Sequence, residues 1–424
     1  MPLFSERLQG WTSISDTFVS FFAHLPGAFW LDRQHHPTSR FSVIGVGTDC
    51  DWIELGETDE PLDLPFAFRP GYVGVVNYSP EAGEIKELSM LQVDRAFVYD
   101  HSTRHVHFLG RFADREQFNA WYHAALLRLA LIGGEASAYE LNNPAATCAE
   151  LVCEDQAGEY LEKVQQAQQY ISAGDVYQLC LTTRLRGAYV GDPLSYFLRL
   201  RKAHPAPYAS FIRTEKRTFV SISPELFLQV HGDRVVSSPI KGTRRRSADA
   251  ADDLKLINEL GADPKERAEN LMIVDLIRND LSRVCEPETV TVDSLLAVRS
   301  FSTVHQLVSD VSGQLRSECR SLDALEALFP GGSMTGAPKI RAMEIIAELE
   351  SSDRAGYSGA IGWIATNGDM ELAMVIRTAI FEGDEVSIGI GGGITSDSDP
   401  KREHEEIQLK GSALADVLGA AVRW

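Results

Sequence analysis

The sequence predicts a mixed α/β protein, and three observations carry that prediction. Alternating stretches such as 41–44 and 72–76 read as strands. Other stretches place apolar residues at helical spacing, as Leu271, Val274, Ile277 and Leu281 do within 264–281. The composition is 44% apolar and 24% charged over 424 residues, which are globular values and enough chain for a large core.

The elements follow in order. Residues 1–145 read as mixed α/β, with strands at 41–44 and 72–76 and Pro/Gly punctuation from Pro61 to Pro70. Residues 111–132 read as a helix, because Phe112, Phe118, Trp121, Leu126 and Leu129 form an approximate stripe. Residues 136–147 are mostly small and polar, contain Asn143-Pro144, and read as a connection. A helix follows over 154–173 and stops at Gly174. Strands are expected from there to Thr243, with a hairpin of 226–230 and 234–236 around His231-Gly232-Asp233. The helix at 264–281 has Asp263 as its cap and Pro264 in its first turn. Another helix spans 338–349. Strands at 359–366, 371–381 and 385–391 lead to a last helix over 400–418.

Forty Lys and Arg against sixty Asp and Glu give a formal charge of −20. That balance argues against nucleic acid or an anionic membrane as partner, and leaves room for a local basic site. The six cysteines are scattered without a C-x-x-C pair, as in a reduced cytoplasmic protein. The first twenty residues carry Glu6, Arg7 and Asp16 and have no secretory apolar core. No stretch approaches eighteen uncharged apolar residues, so no membrane span is expected.

Several familiar motifs fail. Gly331 to Lys339 looks superficially like a phosphate-binding loop, but Ala337-Pro338 stand where Lys and a hydroxyl are needed. The run Gly389 to Ile394 lacks the last glycine of a dinucleotide fingerprint, and His404-Glu405 lacks the second His of a zinc-protease helix. No G-x-S-x-G elbow is present.

Four segments hold. Ser223-Pro224-Glu225 puts a carboxylate on a turn at the head of an apolar strand; a solvated turn glutamate is the competing explanation. Pro239-Ile240-Lys241-Gly242-Thr243, followed by Arg244, Arg245 and Arg246, offers a lysine that burial would make nucleophilic; a basic surface loop is the alternative. The helix from Lys265 carries Glu266, Glu269 and Asp275, partly explained as an exposed face. The fourth is Gly391-Gly392-Gly393 with Glu403, Glu406 and Lys410. The last three share one helix face, and three glycines in a row expose backbone N–H groups to an anion. Two glutamates from different helices suit Mg²⁺, while an i, i+4 salt bridge between Glu406 and Lys410 is the plain alternative. The residues alone point to a Mg²⁺-dependent site for a carboxylated small molecule.

These motifs, in this order, resemble the chorismate-utilising enzymes, and within them aminodeoxychorismate synthase component I, a relative of the large subunit of anthranilate synthase. The likeness is strongest over 154–418. It rests on Ala173-Gly174-Asp175-Val176-Tyr177-Gln178, Ser223-Pro224-Glu225, Pro239 to Thr243, the run from Asp263 to Leu281, Gly336-Ala337-Pro338-Lys339, Ile376-Arg377-Thr378-Ala379 and the glycine run. The first 150 residues match chiefly through Ser39 to Gly45. The resemblance implies an α/β (α+β) fold of two large packed antiparallel sheets covered by outer helices. Residues 1–147 would contribute to the same body as a catalytic region over 154–419.

The resemblance also implies a chemistry. Lys in P-I-K-G-T marks the synthases that aminate C4 of chorismate by a covalent route, whereas anthranilate synthases have Ala there. Lys241 would attack C2 while Glu225 protonates the departing C4 hydroxyl, and ammonia would then take C4 and expel the lysine. Glu269 and Glu406 match Mg²⁺ ligands, with Glu403 and Glu266 in support. Gly242, Thr243, Tyr357, Arg377, Gly391, Gly392, Gly393 and Lys410 match positions that hold the substrate, and Arg377 has the planar fork a carboxylate needs. His305 matches a histidine near the departing group, although a satisfied core histidine explains it as readily. No glutaminase nucleophile motif is present, so ammonia is expected from a separate glutaminase subunit, and the product would serve p-aminobenzoate and folate synthesis. The alternatives are an anthranilate synthase component I and a catalytically silent relative.

Two departures stand out. Cys180 occupies a position where the family often has Asn. Leu31-Asp32-Arg33 and Pro207-Tyr208-Ala209 differ from the segments of tryptophan-sensing relatives, so regulation by tryptophan is not expected.

Overall fold

The strand Leu88–Asp100 joins the two halves of the architecture. Its first part pairs with Gly71–Val76, its last part with His105–Arg111, and its opposite edge with Phe41–Cys50, all antiparallel. The computed structural model describes residues 1–56 and 63–424. Pro61, within the expected punctuation, lies outside the described residues.

From Gly71–Val76 the ladder runs through Ala360–Ala365, Met370–Met374, Leu226–His231 and Arg234–Ser238 to Val304–Gln314. From Phe41–Cys50 it runs through Ala28–Asp32, Tyr208–Arg213, Arg217–Ser223, Thr378–Glu382 and Glu385–Ile394 to Gln178–Val190. The result is a large antiparallel array of two halves, hydrogen-bonded to each other at the shared strand. Ala421–Arg423 adds a parallel pairing with Glu150–Cys153. Strands from the first 147 residues are built into both halves, against Tyr208–Arg213 and Ala360–Ala365.

The stretch 72–76, expected to alternate, is buried on both faces: every residue of Gly71–Val76, Ala360–Ala365 and Met370–Met374 is buried. Helices cover the array. Pro264–Ser282 packs on Val304–Gln314, and Pro400–Leu418 packs on Glu385–Ile394. Both helices start at an Asp-Pro pair, whose aspartate accepts backbone N–H groups of the first turn: Asp263 from Lys265 and Glu266, Asp399 from Arg402.

Several expectations are corrected. Residues 136–147 are not a plain connection, because Glu135–Asn142 is helical and buries Tyr139. The stretch before Thr243 is not all strand: Asp192-Pro193 starts the helix Pro193–Ala203, whose inner face holds Leu194, Phe197, Leu198 and Leu200. Ala250–Ala262, capped by Asp249, is a further helix. The strand expected over 371–381 is broken at Arg377, whose φ of 49° no strand accommodates. The expected 385–391 strand instead runs on to Ile394.

All six cysteines are free. Among the described residues no helix is long and apolar enough to cross a membrane.

Candidate active site

The three glycines, expected to expose backbone N–H groups to an anion, lie on a strand. Gly391, Gly392 and Gly393 pair in register with Thr182, Leu181 and Cys180. Their missing side chains serve a different purpose, the close approach of functional groups. A Cβ on Gly393 would lie 2.5 Å from Gln178 Nε2, 3.3 Å from Glu269 Oε2 and 3.4 Å from Lys241 Nζ. A Cβ on Gly392 would lie 3.3 Å from Glu403 Oε2 and 4.0 Å from Glu406 Oε1. A two-residue stretch of bare backbone thus gathers side chains from two strands and two helices.

Lys241 reaches this floor from Ile240–Arg245. That strand bulges against Val304–Gln314 between Lys241 and Thr243, where Gly242 takes φ 77°. Lys241 Nζ stands 3.7 Å from Glu269 Oε2. Burial opposes its charge, yet Glu269, Cys180, Glu225 and Glu406 together hold its pKa above the ordinary lysine value. The expectation that burial alone lowers it is therefore corrected: carboxylates outweigh desolvation in the substrate-free protein.

Glu225 is 6% exposed on the turn before Leu226–His231, and its carbonyl accepts the Met374 N–H at 3.0 Å. Burial pushes its carboxyl up to about 7, against the lowering effect of the Ser333 hydroxyl, Lys241 and the Ile240 N–H. At neutral pH this carboxyl is poised both to give and to take a proton. The solvated-turn explanation fails here.

The acidic groups form one chain. Lys265 Nζ lies 3.1 Å from Glu403 Oε1 and 3.8 Å from Glu269 Oε1, so an ammonium bridges carboxylates of two helices. Glu403 is 2% exposed and accepts the Ser398 hydroxyl at 2.7 Å. Burial raises the Glu406 pKa, but Lys410 at 2.7 Å and the more distant Lys265 and Lys241 take it below the usual range. Glu266, next to Gly242, has its carboxyl raised by burial and by Glu269. Among the described residues no three His, Cys, Asp or Glu side chains already converge as a metal centre. The chemistry of the donor set suits a hard cation: Lys265 already bridges Glu269 and Glu403 from two helices, so one positive charge is held between their carboxylates, and Glu406 lies beside Glu403 at Gly392.

The other expected residues are placed as follows. Lys410 makes the plain i, i+4 pair with Glu406 and donates to the Gly391 carbonyl at 2.8 Å, so its ammonium is engaged. Tyr357 is buried with its ring against Gly389, where a Cβ would come within 2.1 Å of the ring. Thr243 Oγ1 accepts Gln306 Nε2 at 3.4 Å. Arg377 sits at the strand break, its carbonyl accepting the Ile222 N–H at 3.1 Å. Burial lowers its pKa, and among the described residues no carboxylate pairs with its guanidinium. An unpaired, desolvated guanidinium is what an incoming carboxylate would satisfy.

His305 does not join this constellation by any contact. Its ring is fully buried, Nδ1 meets Ser300 Oγ at 2.8 Å and Nε2 meets Asp253 Oδ1 at 2.8 Å. Both nitrogens are engaged, which is the satisfied core histidine weighed at the outset. Arg33 is buried too, paired with Glu371 at 2.8 Å and lying over the Tyr208 ring.

Three residues escaped the sequence reading. Lys265 was seen only as part of a motif. Ser333 lay in a failed motif. Gln178 is 1% exposed and its Oε1 has no hydrogen-bond partner, while its amide nitrogen points at Gly393. The Asp175-Val176-Tyr177-Gln178 motif was the available signal, but only the strand register places its glutamine on the floor.

Comparison with known proteins shows which family the chain belongs to. Residues 54–416 match the family model described as chorismate binding enzyme. The chain is 39% identical over 386 residues to the aminodeoxychorismate synthase of Streptomyces griseus, covering 87% of this chain and 53% of that protein. It is 33% identical over 437 residues to aminodeoxychorismate synthase component 1 of Escherichia coli, covering 92% and 93%. Against the Streptomyces relative, then, the chain spans about half the length. Anthranilate synthase component I from Streptococcus pneumoniae superposes with a TM-score of 0.77 at 27% identity, over 89% of this chain and 92% of that one.

Proposed function

The chain belongs to the chorismate binding enzyme family, and from that premise we propose that it aminates chorismate at C4 to give 4-amino-4-deoxychorismate, the precursor of p-aminobenzoate and folate. The observation that carries this reading is Lys241 on the site floor, 3.7 Å from Glu269, with the proton-poised Glu225 charge-coupled to it.

The roles proposed here are those the resemblance implies, and the geometry supports them as follows. Arg377 receives a substrate carboxylate, supported by its lack of an ion-pair partner. Lys241, once its ammonium has given a proton to solvent, adds through Nζ to C2 as the free amine. The ring double bonds shift, the C4–O bond breaks, and Glu225 gives its proton so that the hydroxyl leaves as water. Ammonia then adds at C4, its surplus proton returns to Glu225, the double bonds shift back, and the C2–N bond breaks to release Lys241. The enolpyruvyl ether on C3 is untouched. Glu269, Glu406 and Glu403 would hold Mg²⁺, which supplies positive charge for the ring carboxylate. The buried floor keeps water from competing.

A relative spanning nearly the same length is named component 1, which supports a partner component, and a glutaminase that releases ammonia is the chemistry this reaction requires. The same scaffold in an anthranilate synthase keeps a second reading open, amination at C2. Lys241 argues against that reading, since the resemblance gives anthranilate synthases Ala at this position. Substituting Lys241→Ala tests the covalent route: loss of at least about a hundredfold in C4 amination is expected, and an unchanged rate would remove the lysine from the mechanism.

A further inference from the structure

A small cavity is lined in part by Glu225 and by none of the carboxylates of the Glu269, Glu403 and Glu406 chain. Of the residues assigned above to substrate, metal or the covalent step, only Glu225 lines it; Lys241, Glu269, Arg377 and Tyr357 do not. Its other polar walls include Ser333 and Asp280, and its apolar walls include Phe227, Ile277 and Met374. Asp280 sits near the end of the helix whose start carries Glu269. It is 4% exposed, and its Oδ2 is held by Lys339 Nζ at 2.6 Å, which leaves its other lone pairs as acceptors. Lys339 also donates to the Leu328 carbonyl at 2.9 Å. The Gly336-Ala337-Pro338-Lys339 motif thus places a buried cation behind a carboxylate that retains acceptor capacity inside an apolar enclosure.

We propose that this cavity is the holding site of the amine nucleophile, ammonia, between its release elsewhere and its attack on the substrate. This rests on the C4-amination reading. Ammonia has three N–H donors and one lone pair, so it needs acceptors around it and a clear line to carbon. Asp280, Ser333 and Glu225 supply acceptors, and Phe227, Ile277, Leu328 and Met374 close the rest of the wall, so the space suits a small donor. Glu225 borders both spaces. Having protonated the departing hydroxyl, it is a carboxylate beside the vacated position, and it accepts the proton that the adding ammonia must lose. The new C–N bond therefore forms from the cavity side, where the C–O bond has broken.

The test is steady-state amination with ammonium chloride as nitrogen source, KM being measured for ammonium and for chorismate separately. Asp280→Asn removes the charged acceptor, and Ser237→Leu fills the cavity from a buried wall position, with Ser237→Ala as the space-preserving control. Expected is a rise of at least about tenfold in the ammonium KM for the first two, a chorismate KM within about twofold of wild type, and near wild-type behaviour for Ser237→Ala. Thermal unfolding identifies any variant that has not folded, and the other then decides. An unchanged ammonium KM in a folded variant overturns the proposal, as does a parallel rise in the chorismate KM, which would make the cavity part of the chorismate pocket. A wild-type protein that makes no aminated product would remove the reaction itself, and this inference with it.

Discussion

Lys241 Nζ and Glu269 Oε2 stand 3.7 Å apart over Gly393, where a Cβ would lie within 3.4 Å of both. The nucleophile candidate and a metal-ligand candidate therefore share one small space, and substitutions at that space should affect chemistry more than folding.

Gly393→Ala is the sharpest case. The new Cβ would meet Gln178 Nε2 at 2.5 Å, the mobile end of a side chain, so the fold adjusts. The floor does not, because Glu269 and Lys241 are crowded too. We expect a folded protein with a loss of kcat/KM of about a hundredfold, given how sharply rates depend on placement. Circular dichroism and steady-state kinetics check this together.

Gly389→Ala, four residues earlier on the same strand, should do the opposite. A Cβ there would lie 2.1 Å from the Tyr357 ring, which is buried and has nowhere to go. Overpacking of this kind costs about 1–3 kcal/mol or more. A clear drop in the urea midpoint is the expected result.

Glu225 sets a pH dependence. Its carboxyl, raised by burial to about 7, donates a proton only below that pH. The kcat/KM for chorismate should fall as pH rises through about 7, and Glu225→Gln should lose that limb together with about 10²–10⁴ of the rate. Stability has the same sign. A carboxyl with a raised folded-state pKa stabilises the fold fully below the ordinary carboxylate range, and that contribution disappears as pH rises through about 7. Thermal unfolding of wild type should therefore drop across that window, and that of Glu225→Gln should not.

Removing a carboxylate from the cradle tests the metal assignment. Glu269→Gln and Glu406→Gln should each abolish Mg²⁺-dependent turnover. Mg²⁺ should raise the unfolding temperature of wild type and not of either variant. Activity and stabilisation insensitive to both changes would refute the assignment.

Local chemistry was legible in the sequence; non-local geometry was not. The final helix over 400–418 was read correctly because an Asp-Pro start and a glycine stop, Gly419, are written locally. The hairpin at His231-Gly232 was legible for the same reason. Glu225, Lys241, Glu269 and Glu406 were recognisable as motifs. How far the strand expected over 385–391 runs into the glycines was not legible, because its partner, the strand Gln178–Val190, lies about two hundred residues earlier. His305 shows the converse. Its motif pointed to the site, while its contacts with Ser300 and Asp253 depend on a helix, Ala250–Ala262, that the sequence reading did not find.

The central claim is amination of chorismate at C4, and product analysis tests it most directly. Purified protein would be mixed with chorismate, Mg²⁺ and a high concentration of ammonium at mildly alkaline pH, and the products separated by chromatography and weighed by mass spectrometry. The account predicts an aminated product that keeps its enolpyruvyl group and yields p-aminobenzoate only when a lyase is added. Anthranilate with pyruvate would contradict it, because nitrogen would then have entered at C2, the carbon assigned here to Lys241.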